Sequence, residues 1–435
     1  GIKVCDMRKS KVFDLSAISI IACDCLQAVI CIFVDLFLTS QILNNPNAST
    51  TQNIVSIGLF YLIFYIVLTI AYSLTGHALK KINKSIFVSI GAVLLTVLVF
   101  VVYMLGDQVV TFVPLLGFIY GVAFGFYSSG YYGLTAETIS SKHQVKFFAV
   151  KRILFQVTYI VFPISLGLII DKINFSFMAL IMLVICALLI VFSFLIKPKQ
   201  KYQLSFNLRQ LNKILVENKE QTKPLRLVYL SNFFRGASYD CFTTLITILV
   251  MRSFGSNTSL GMFQSIFTAV SLITMCFYLR FYRKKRAKAF IIPTVVLVAC
   301  TIIAIFSVTN KTTIIIFYAV YSVLNVILMA ISDSRRSGVV RVLSLHSHIL
   351  ESNTFSEFTL GFGRIISSLI ILLSGVFDSL LGGNSTIFLK VALGIVCVFY
   401  IFYGLSLIWL ENSLIKQDEE FKKVHVAENI EKNED

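Results

Sequence analysis

Long apolar runs separated by short polar segments dominate the hydrophobic pattern of this chain. A helix of about 20 apolar residues crosses the hydrocarbon core of a bilayer, since each residue adds about 1.5 Å. Runs of that length recur from one end of the chain to the other. They predict twelve membrane-spanning helices, at roughly 15–40, 53–76, 86–105, 109–134, 150–170, 174–196, 227–251, 259–279, 289–309, 312–332, 352–377 and 386–410.

The basic residues between these spans fall mainly in alternate segments. If both termini lie in the cytoplasm, 32 of the 38 Lys and Arg residues lie in the inner segments, four lie near the outer side and two lie within spans. An excess of Lys and Arg is typical of cytoplasmic loops. The distribution therefore predicts cytoplasmic N- and C-termini, and removing one span would destroy the alternation.

Composition supports lipid as the main solvent. Hydrophobic residues make up 57% of the 435 residues and charged residues 14%, whereas a soluble protein needs a more charged surface. The net charge of +16 is explained by topology, so we expect no nucleic-acid partner. Most of the nine Cys lie in apolar runs and are expected to be small buried hydrophobes, with no metal site and no cofactor. Richness in Ile, Lys, Asn and Phe is typical of AT-rich bacterial genomes, so we expect the protein to lie in a bacterial cell membrane.

The two halves of the chain resemble each other. Segment 24–34 aligns with 240–250, and both begin with an Asp-Cys pair; segment 58–70 aligns with 261–273, and both begin with Gly. The repeat predicts an all-α fold of two six-helix pseudo-repeats, and we expect the protein to be monomeric. The expected organisation is an N-terminal bundle at 1–196, a basic linker at 197–226, a C-terminal bundle at 227–411 and a cytoplasmic tail at 412–435.

The linker contains a segment, 204–216, with the spacing of an amphipathic helix. Such a helix could lie on the inner leaflet of the membrane. A merely solvated linker explains the same residues equally well.

With twelve spans, inner termini and parallel half-repeats, the chain resembles the major facilitator superfamily over nearly its full length. The superfamily has a loop after its second span of the form Gly-x-x-x-Asp-Arg-x-Gly-Arg-Lys. In this chain Gly76 stands at the first Gly of the motif, and its basic region contains Lys80, Lys81 and Lys84. The chain departs from the motif at two positions: Lys80 stands where the motif has Asp, and Asn83 stands where it has the second Gly. The resemblance implies transport by alternating access, around a cavity lined by the first, fourth, seventh and tenth spans.

The first span carries a polar stripe on one helical face. Asp24, Gln27, Cys31 and Asp35 follow at i, i+3, i+7 and i+11. A carboxylate at mid-span must face water or a partner, because a charge in hydrocarbon costs several kcal/mol. Asp24 is therefore a candidate for proton coupling or substrate binding, and a structural contact between helices is the alternative.

The fourth span carries two stripes. Gly117, Gly121 and Gly125 predict a surface for close packing of another helix. The neighbouring tyrosines offer aromatic and hydroxyl contacts either to a substrate or to other helices. These candidates are Tyr120, Tyr127 and Tyr131, and Asn325 in the tenth span is a candidate of the same kind.

Charged residues also lie in the seventh and eleventh spans. Asp240 is the repeat counterpart of Asp24, and Arg235 lies on another face of the same helix. Glu357 and Arg364 share a face of the eleventh span, where a structural ion pair is favoured over anion binding.

These residues favour a proton-coupled secondary transporter of a small organic solute in the lipid bilayer. An uncoupled facilitator, or a membrane sensor or assembly protein that transports nothing, is the alternative. An enzyme is not expected, because no set of nucleophile, base and acid appears at membrane depth.

Overall fold

The structure of the chain, a computed structural model, describes residues 15–78, 82–138, 144–197, 207–281, 287–307, 310–343, 349–380 and 385–434. Every regular element among these residues is helical, which confirms the all-α class. The helices are α1 (Leu15–Leu43), α2 (Thr50–Ala78), α3 (Lys84–Leu105), α4 (Val113–Thr138), α5 (Gln144–Lys172), α6 (Phe175–Leu195), α7 (Leu208–Glu217), α8 (Lys223–Phe254), α9 (Asn257–Phe281), α10 (Ala287–Ser307), α11 (Lys311–Val342), α12 (Ile349–Leu380) and α13 (Ser385–Glu434).

Ten stretches of the described residues are long and apolar enough to cross a membrane. One of them, Lys84–Tyr131, contains both α3 and most of α4, while α8 is not among the ten. The chain is therefore a multi-pass membrane protein, as expected. The count of twelve spans, the pseudo-repeat and the cytoplasmic position of the termini stay predictions.

Local sequence explains where several helices begin and end. The side chains of Asn83 and Asn174 accept hydrogen bonds from backbone N–H groups in the first turns of α3 and α6, at 3.2 and 2.7 Å. Asn is favoured at this position because it satisfies an N–H that has no partner within the helix. Gly106 and Gly255 follow α3 and α8 with φ of 50° and 69°, a conformation in which glycine carries no steric cost.

The glycine stripe of α4 packs against α2. A Cβ at Gly117 would lie 2.7 Å from the carbonyl oxygen of Phe60, and one at Gly121 would lie 2.8 Å from that of Phe64. Only glycine permits backbones to approach so closely. The predicted close-packing surface is confirmed, and it fixes the tyrosines of α4 against neighbouring helices.

The chain forms two compact units. Unit 1 contains Gly1–Ser205 together with Thr247–Ala269, and unit 2 contains Phe206–Ile246 together with Val270–Asp435. The end of α8 and the start of α9 therefore belong to unit 1, although both helices continue in unit 2. The predicted division at the central linker stays a prediction.

The linker does contain a helix, α7, which confirms that part of the expectation. Its apolar residues Leu211 and Leu215 are buried. The guanidinium of Arg226 donates to the Leu215 carbonyl oxygen, and a Glu351 carboxylate oxygen accepts from the backbone N–H of Asn207 at 2.8 Å. The linker helix is thus anchored within unit 2, while a position on the inner leaflet stays a prediction.

Candidate functional site

A largely buried ion pair joins α1 and α5 within unit 1. The Asp24 carboxylate of α1 lies 3.4 Å from the Lys151 ammonium of α5. The side chain of Asp24 is 11% exposed and that of Lys151 is 20% exposed. Two charges so far from water are held together by strong attraction, because the surrounding protein screens them poorly.

Aromatic rings from α4 adjoin this pair. The Lys151 ammonium lies 4.7 Å from the centre of the Tyr131 ring, within the range of a cation–π contact. Tyr131 stacks on Tyr127, with ring centres 5.8 Å apart and planes 12° from parallel. Both tyrosines are buried. The structure therefore brings two of the predicted tyrosines close to the predicted acid.

The stripe of α1 continues beyond the ion pair. Gln27 donates to the sulfur of Cys31 at 3.0 Å. The hydroxyl of Tyr120 lies 3.5 Å from the same sulfur and 3.4 Å from the Asp35 carboxylate, to which it donates. The third predicted tyrosine thus meets the other end of the stripe.

A π-helical segment, Phe33–Leu38, interrupts α1 at the end of this stripe. Such a segment adds a residue to one turn and is frequent at functional sites. It contains Asp35, whose backbone oxygen accepts a hydrogen bond from Tyr61 at 3.2 Å. Helical spacing alone did not predict this change of register.

Lys151 is the residue that sequence reasoning missed. The Lys and Arg count placed Lys151 with the inner segments, at the edge of the predicted span 150–170, whereas α5 begins at Gln144 and places Lys151 two turns into the helix. A lysine near a span boundary looks like a loop cation, because long basic side chains often extend to the membrane surface. Its position on the face that meets Asp24 could not be judged without the fold.

Unit 2 carries charged pairs of a different kind. The Arg235 guanidinium of α8 donates to Asp333 of α11 at 2.7 Å. The Arg336 guanidinium of α11 donates to Glu357 of α12 at 3.0 Å. Arg235 and Glu357, two of the predicted residues, therefore pair with Asp333 and Arg336 of α11. Both partners lie between the spans predicted at 312–332 and 352–377, where the sequence predicted a loop.

A third pair in unit 2 is bidentate. The Nε and Nη2 atoms of Arg335 donate to the two carboxylate oxygens of Glu411 on α13, with Nη2 at 2.9 Å. The side chains are 10% and 4% exposed. Two parallel hydrogen bonds give this pair a fixed geometry. Sequence analysis singled out neither partner.

The remaining predicted residues are spread over the chain. Asn325 is buried in α11. Arg364 lies in α12, and its carbonyl oxygen accepts from Ser367 and Ser368 at 2.8 and 2.9 Å. Asp240 lies in α8, but its side chain is outside the described residues.

The residues of the loop motif are only partly described. Gly76 lies near the end of α2, and Lys84 is the buried first residue of α3. Lys80 and Lys81 lie outside the described residues. The role of this motif stays a prediction.

The pair in unit 1 can perform one simple piece of chemistry. When the carboxylate of Asp24 is ionised, it neutralises Lys151, and the pair is neutral as a whole. A proton bound to Asp24 would remove the charge that holds Lys151 and leave a cation beside two aromatic rings. Among the described residues no group of three His, Cys, Asp or Glu is arranged to hold a metal ion.

The fold is similar to those of known transporters. The crystal structure of the nucleoside transporter NupG has a TM-score of 0.62 and 16% identity, covering 91% of this chain and 98% of that one. The POT family transporter PepTSo has a TM-score of 0.70 and 11% identity, covering 93% and 98%. Identities this low show a shared fold and nothing about substrates.

The sequence comparisons give the family. The chain is 24% identical over 311 residues to the Bacillus subtilis (strain 168) protein YqgE, described as uncharacterized, and this alignment covers 70% of the chain and 71% of its relative. The model of the Major Facilitator Superfamily matches residues 25–340. The chain therefore belongs to the major facilitator superfamily and is a multi-pass membrane transporter.

Proposed function

We propose that this protein is a proton-coupled secondary transporter that carries a small organic solute by alternating access. The observation that carries the proposal is the buried ion pair between Asp24 and Lys151. The proposed architecture is twelve spans in two six-helix bundles, with both termini in the cytoplasm of a bacterial cell. The protein acts as a monomer.

The position of the pair favours a role in transport. Asp24 lies ten residues into α1, in the span that lines the cavity in the superfamily. A buried ion pair is a weak source of stability, because removing two charges from water costs about as much as their attraction returns. Tyr131 and Tyr127 add aromatic surface and a hydroxyl group beside the pair, and both suit contact with an organic solute.

The chemistry of the two partners favours protons as the coupling ion. A carboxylate can bind and release a proton, while a lysine ammonium freed by that proton can attract a polar or anionic group of the solute. Proton entry along the membrane potential supplies about 2.3 kcal/mol per charge per 100 mV. The proposal keeps Asp240 and Asn325 as solute-binding candidates in the second half of the chain, whereas Arg235 is paired with Asp333 of α11.

The experiment is a proton-flux measurement in proteoliposomes, with a pH-sensitive dye inside. Pools of amino acids, dipeptides, nucleosides, monosaccharides and organic anions are added in turn to wild-type protein and to Asp24→Asn. We expect one pool to evoke flux in the wild type and at least a tenfold loss in the variant, because Asn cannot carry a proton. Asp107→Asn is the control, because Asp107 is an exposed carboxylate of unit 1 that bonds to Gln41.

The other outcomes separate the alternatives. Labelled solute that crosses the membrane without proton movement, equally in wild type and Asp24→Asn, would make the protein an uncoupled facilitator. Folded protein that moves neither solutes nor protons in any pool would favour a sensor or assembly protein. Either outcome rejects the proposal.

A further inference from the structure

We propose that Asp171 is a positioning residue for the transport cycle, which holds the start of α9 in one conformation and releases it in the other. The proposal rests on alternating access, but its test requires neither a known solute nor a proton. Asp171 lies one residue before the end of α5, and the segment it contacts belongs with it to unit 1.

The contact consists of three hydrogen bonds to one carboxylate. The backbone N–H groups of Asn257 and Thr258 donate to the two oxygens of Asp171, at 3.2 and 2.7 Å. The side-chain amide of Asn257 donates to the first of these oxygens at 2.9 Å. The first backbone N–H groups of a helix have no partner within it, and they carry a partial positive charge. Asp171 therefore caps α9 from another helix.

The two helices also touch backbone to backbone beside this cap. A Cβ at Gly167 of α5 would overlap the carbonyl oxygen of Asn257, and one at Gly261 of α9 would overlap that of Pro163. One glycine from each helix thus permits the approach that brings Asp171 within reach. A side chain at either position would force the helices apart.

The end of α1 joins the same contact. The hydroxyl of Ser40 donates to the side-chain oxygen of Asn257 at 2.6 Å, and Ser40 is 1% exposed. Asn257 is therefore held on two sides, by Asp171 from α5 and by Ser40 from α1. Movement of the start of α9 would break both contacts together and uncover Ser40.

The contact is built so that it can open without unfolding α9. Ser256 supplies a second cap, because its hydroxyl accepts from the N–H of Ser259 at 3.1 Å and its carbonyl oxygen from that of Leu260 at 3.2 Å. Among the donors to Asp171, the backbone N–H groups of Asn257 and Thr258 and the side-chain amide of Asn257 would lose their partner. Asp171 is exposed, so water can replace the carboxylate.

Chain connectivity explains why release would matter. The segment Thr247–Ala269 belongs to unit 1, but α8 and α9 both continue into unit 2. The sequence repeat places these two helices in the second half of the transporter, whereas α1 and α5 lie in the first. A contact between predicted halves must open when a superfamily transporter changes the side to which its cavity is exposed.

The test measures how often Ser40 becomes uncovered. Ser40→Cys is introduced into the full chain in right-side-out membrane vesicles, and a membrane-impermeant maleimide is added. Peptide mass spectrometry separates labelling of this position from labelling of the native cysteines. The native Cys186 is buried in unit 1 and reports general loosening of the fold.

We expect Asp171→Asn to raise the labelling rate at position 40 about tenfold, since charge-assisted hydrogen bonds are among the stronger ones. Gly261→Ala should shift the rate in the same direction, because its methyl group would overlap Pro163. Two controls should leave the rate unchanged: Glu217→Gln, which changes an exposed carboxylate of α7, and Gly394→Ala, where a Cβ would meet no atom within 4 Å.

An unchanged rate in both Asp171→Asn and Gly261→Ala would overturn the proposal. A parallel rise in Cys186 labelling would also overturn it, because Asp171 would then support the fold as a whole. The labelling rates do not depend on proton flux. Proton coupling can therefore be disproved while this proposal stands, and this proposal can be disproved while proton coupling stands.

Discussion

The two units of this protein hold their paired charges in different ways. Unit 1 pairs a carboxylate with a lysine ammonium at 3.4 Å, beside stacked tyrosines. Unit 2 uses arginine in each of the three pairs described above, and one of them is bidentate. Arginine keeps its proton at any physiological pH and binds carboxylates in a fixed geometry, whereas lysine is a flexible point charge. The difference predicts that the two sets of ion pairs have different roles.

This comparison assigns different tasks to the two sets of charges. The pair in unit 1 lies among groups that a proton or a solute could rearrange. The pairs in unit 2 join α8 to α11, α11 to α12 and α11 to α13, and all of them end on neighbouring residues of α11. They fasten helices to one another within their unit. We therefore expect substitutions in unit 2 to act on stability and those in unit 1 to act on transport.

The largest effect is expected at the bidentate pair. Arg335→Met leaves Glu411 buried without its cation, and removing one partner of such a pair costs about 3–5 kcal/mol in the free energy of unfolding. The measurement is unfolding in detergent micelles, followed by circular dichroism. The double variant Arg335→Met/Glu411→Leu should recover most of the loss, because it removes both charges.

An exposed pair provides the control for this prediction. Lys213 lies 3.7 Å from Glu217 in α7, and the side chains are 71% and 58% exposed. Lys213→Met should change the free energy of unfolding by less than about 0.5 kcal/mol. If Arg335→Met unfolds like the wild type but loses transport, the assignment of a structural role to unit 2 is wrong.

We expect a large loss of transport when the lysine of the unit 1 ion pair is substituted. Lys151→Gln removes the cation that Asp24 faces, and we expect solute-evoked proton flux to fall at least tenfold while the protein still folds. Lys172→Gln is the matched control, since Lys172 lies exposed at the other end of the same helix. Flux at the wild-type level in Lys151→Gln would contradict a coupling role for the pair.

Sequence predicted the features that depend on spacing along one helix. The stripe of Asp24, Gln27 and Cys31 faces the neighbouring helices, and the glycine stripe of α4 packs against α2, because a period of 3.6 residues places such residues on one face. The apolar runs predicted a multi-pass membrane protein because each is long enough to cross a bilayer as a helix. These features need no knowledge of which helices are neighbours.

The missed residues depend on contacts between helices. Arg335 and Glu411 are 76 positions apart, and Arg336 and Glu357 are 21 apart, so spacing carries no information about their pairing. Lys151 was missed because hydropathy places a boundary lysine in the loop. Counting Lys and Arg then explained Lys151, Arg335 and Arg336 by topology, although the fold gives each of them a specific partner.

The smallest expected effects come from the tyrosine hydroxyls, and they sharpen the role of unit 1. Tyr120→Phe removes a weak hydrogen bond to Asp35 and should cost about 0.5–1 kcal/mol in the free energy of unfolding. The hydroxyl of Tyr127 is buried and, among the described residues, bonds to no other group. A buried hydroxyl without a partner is unfavourable, so Tyr127→Phe should leave stability unchanged or raise it slightly.

A transport measurement distinguishes two roles of the Tyr127 hydroxyl, which are filling space and binding the solute. If Tyr127 only fills space beside Tyr131, Tyr127→Phe should transport like the wild type. If its hydroxyl binds the solute, the variant should keep its stability while the solute concentration for half-maximal flux rises several-fold. We expect the second result, because the buried Tyr127 hydroxyl bonds to no other described group and is therefore available to a solute bound beside Tyr131.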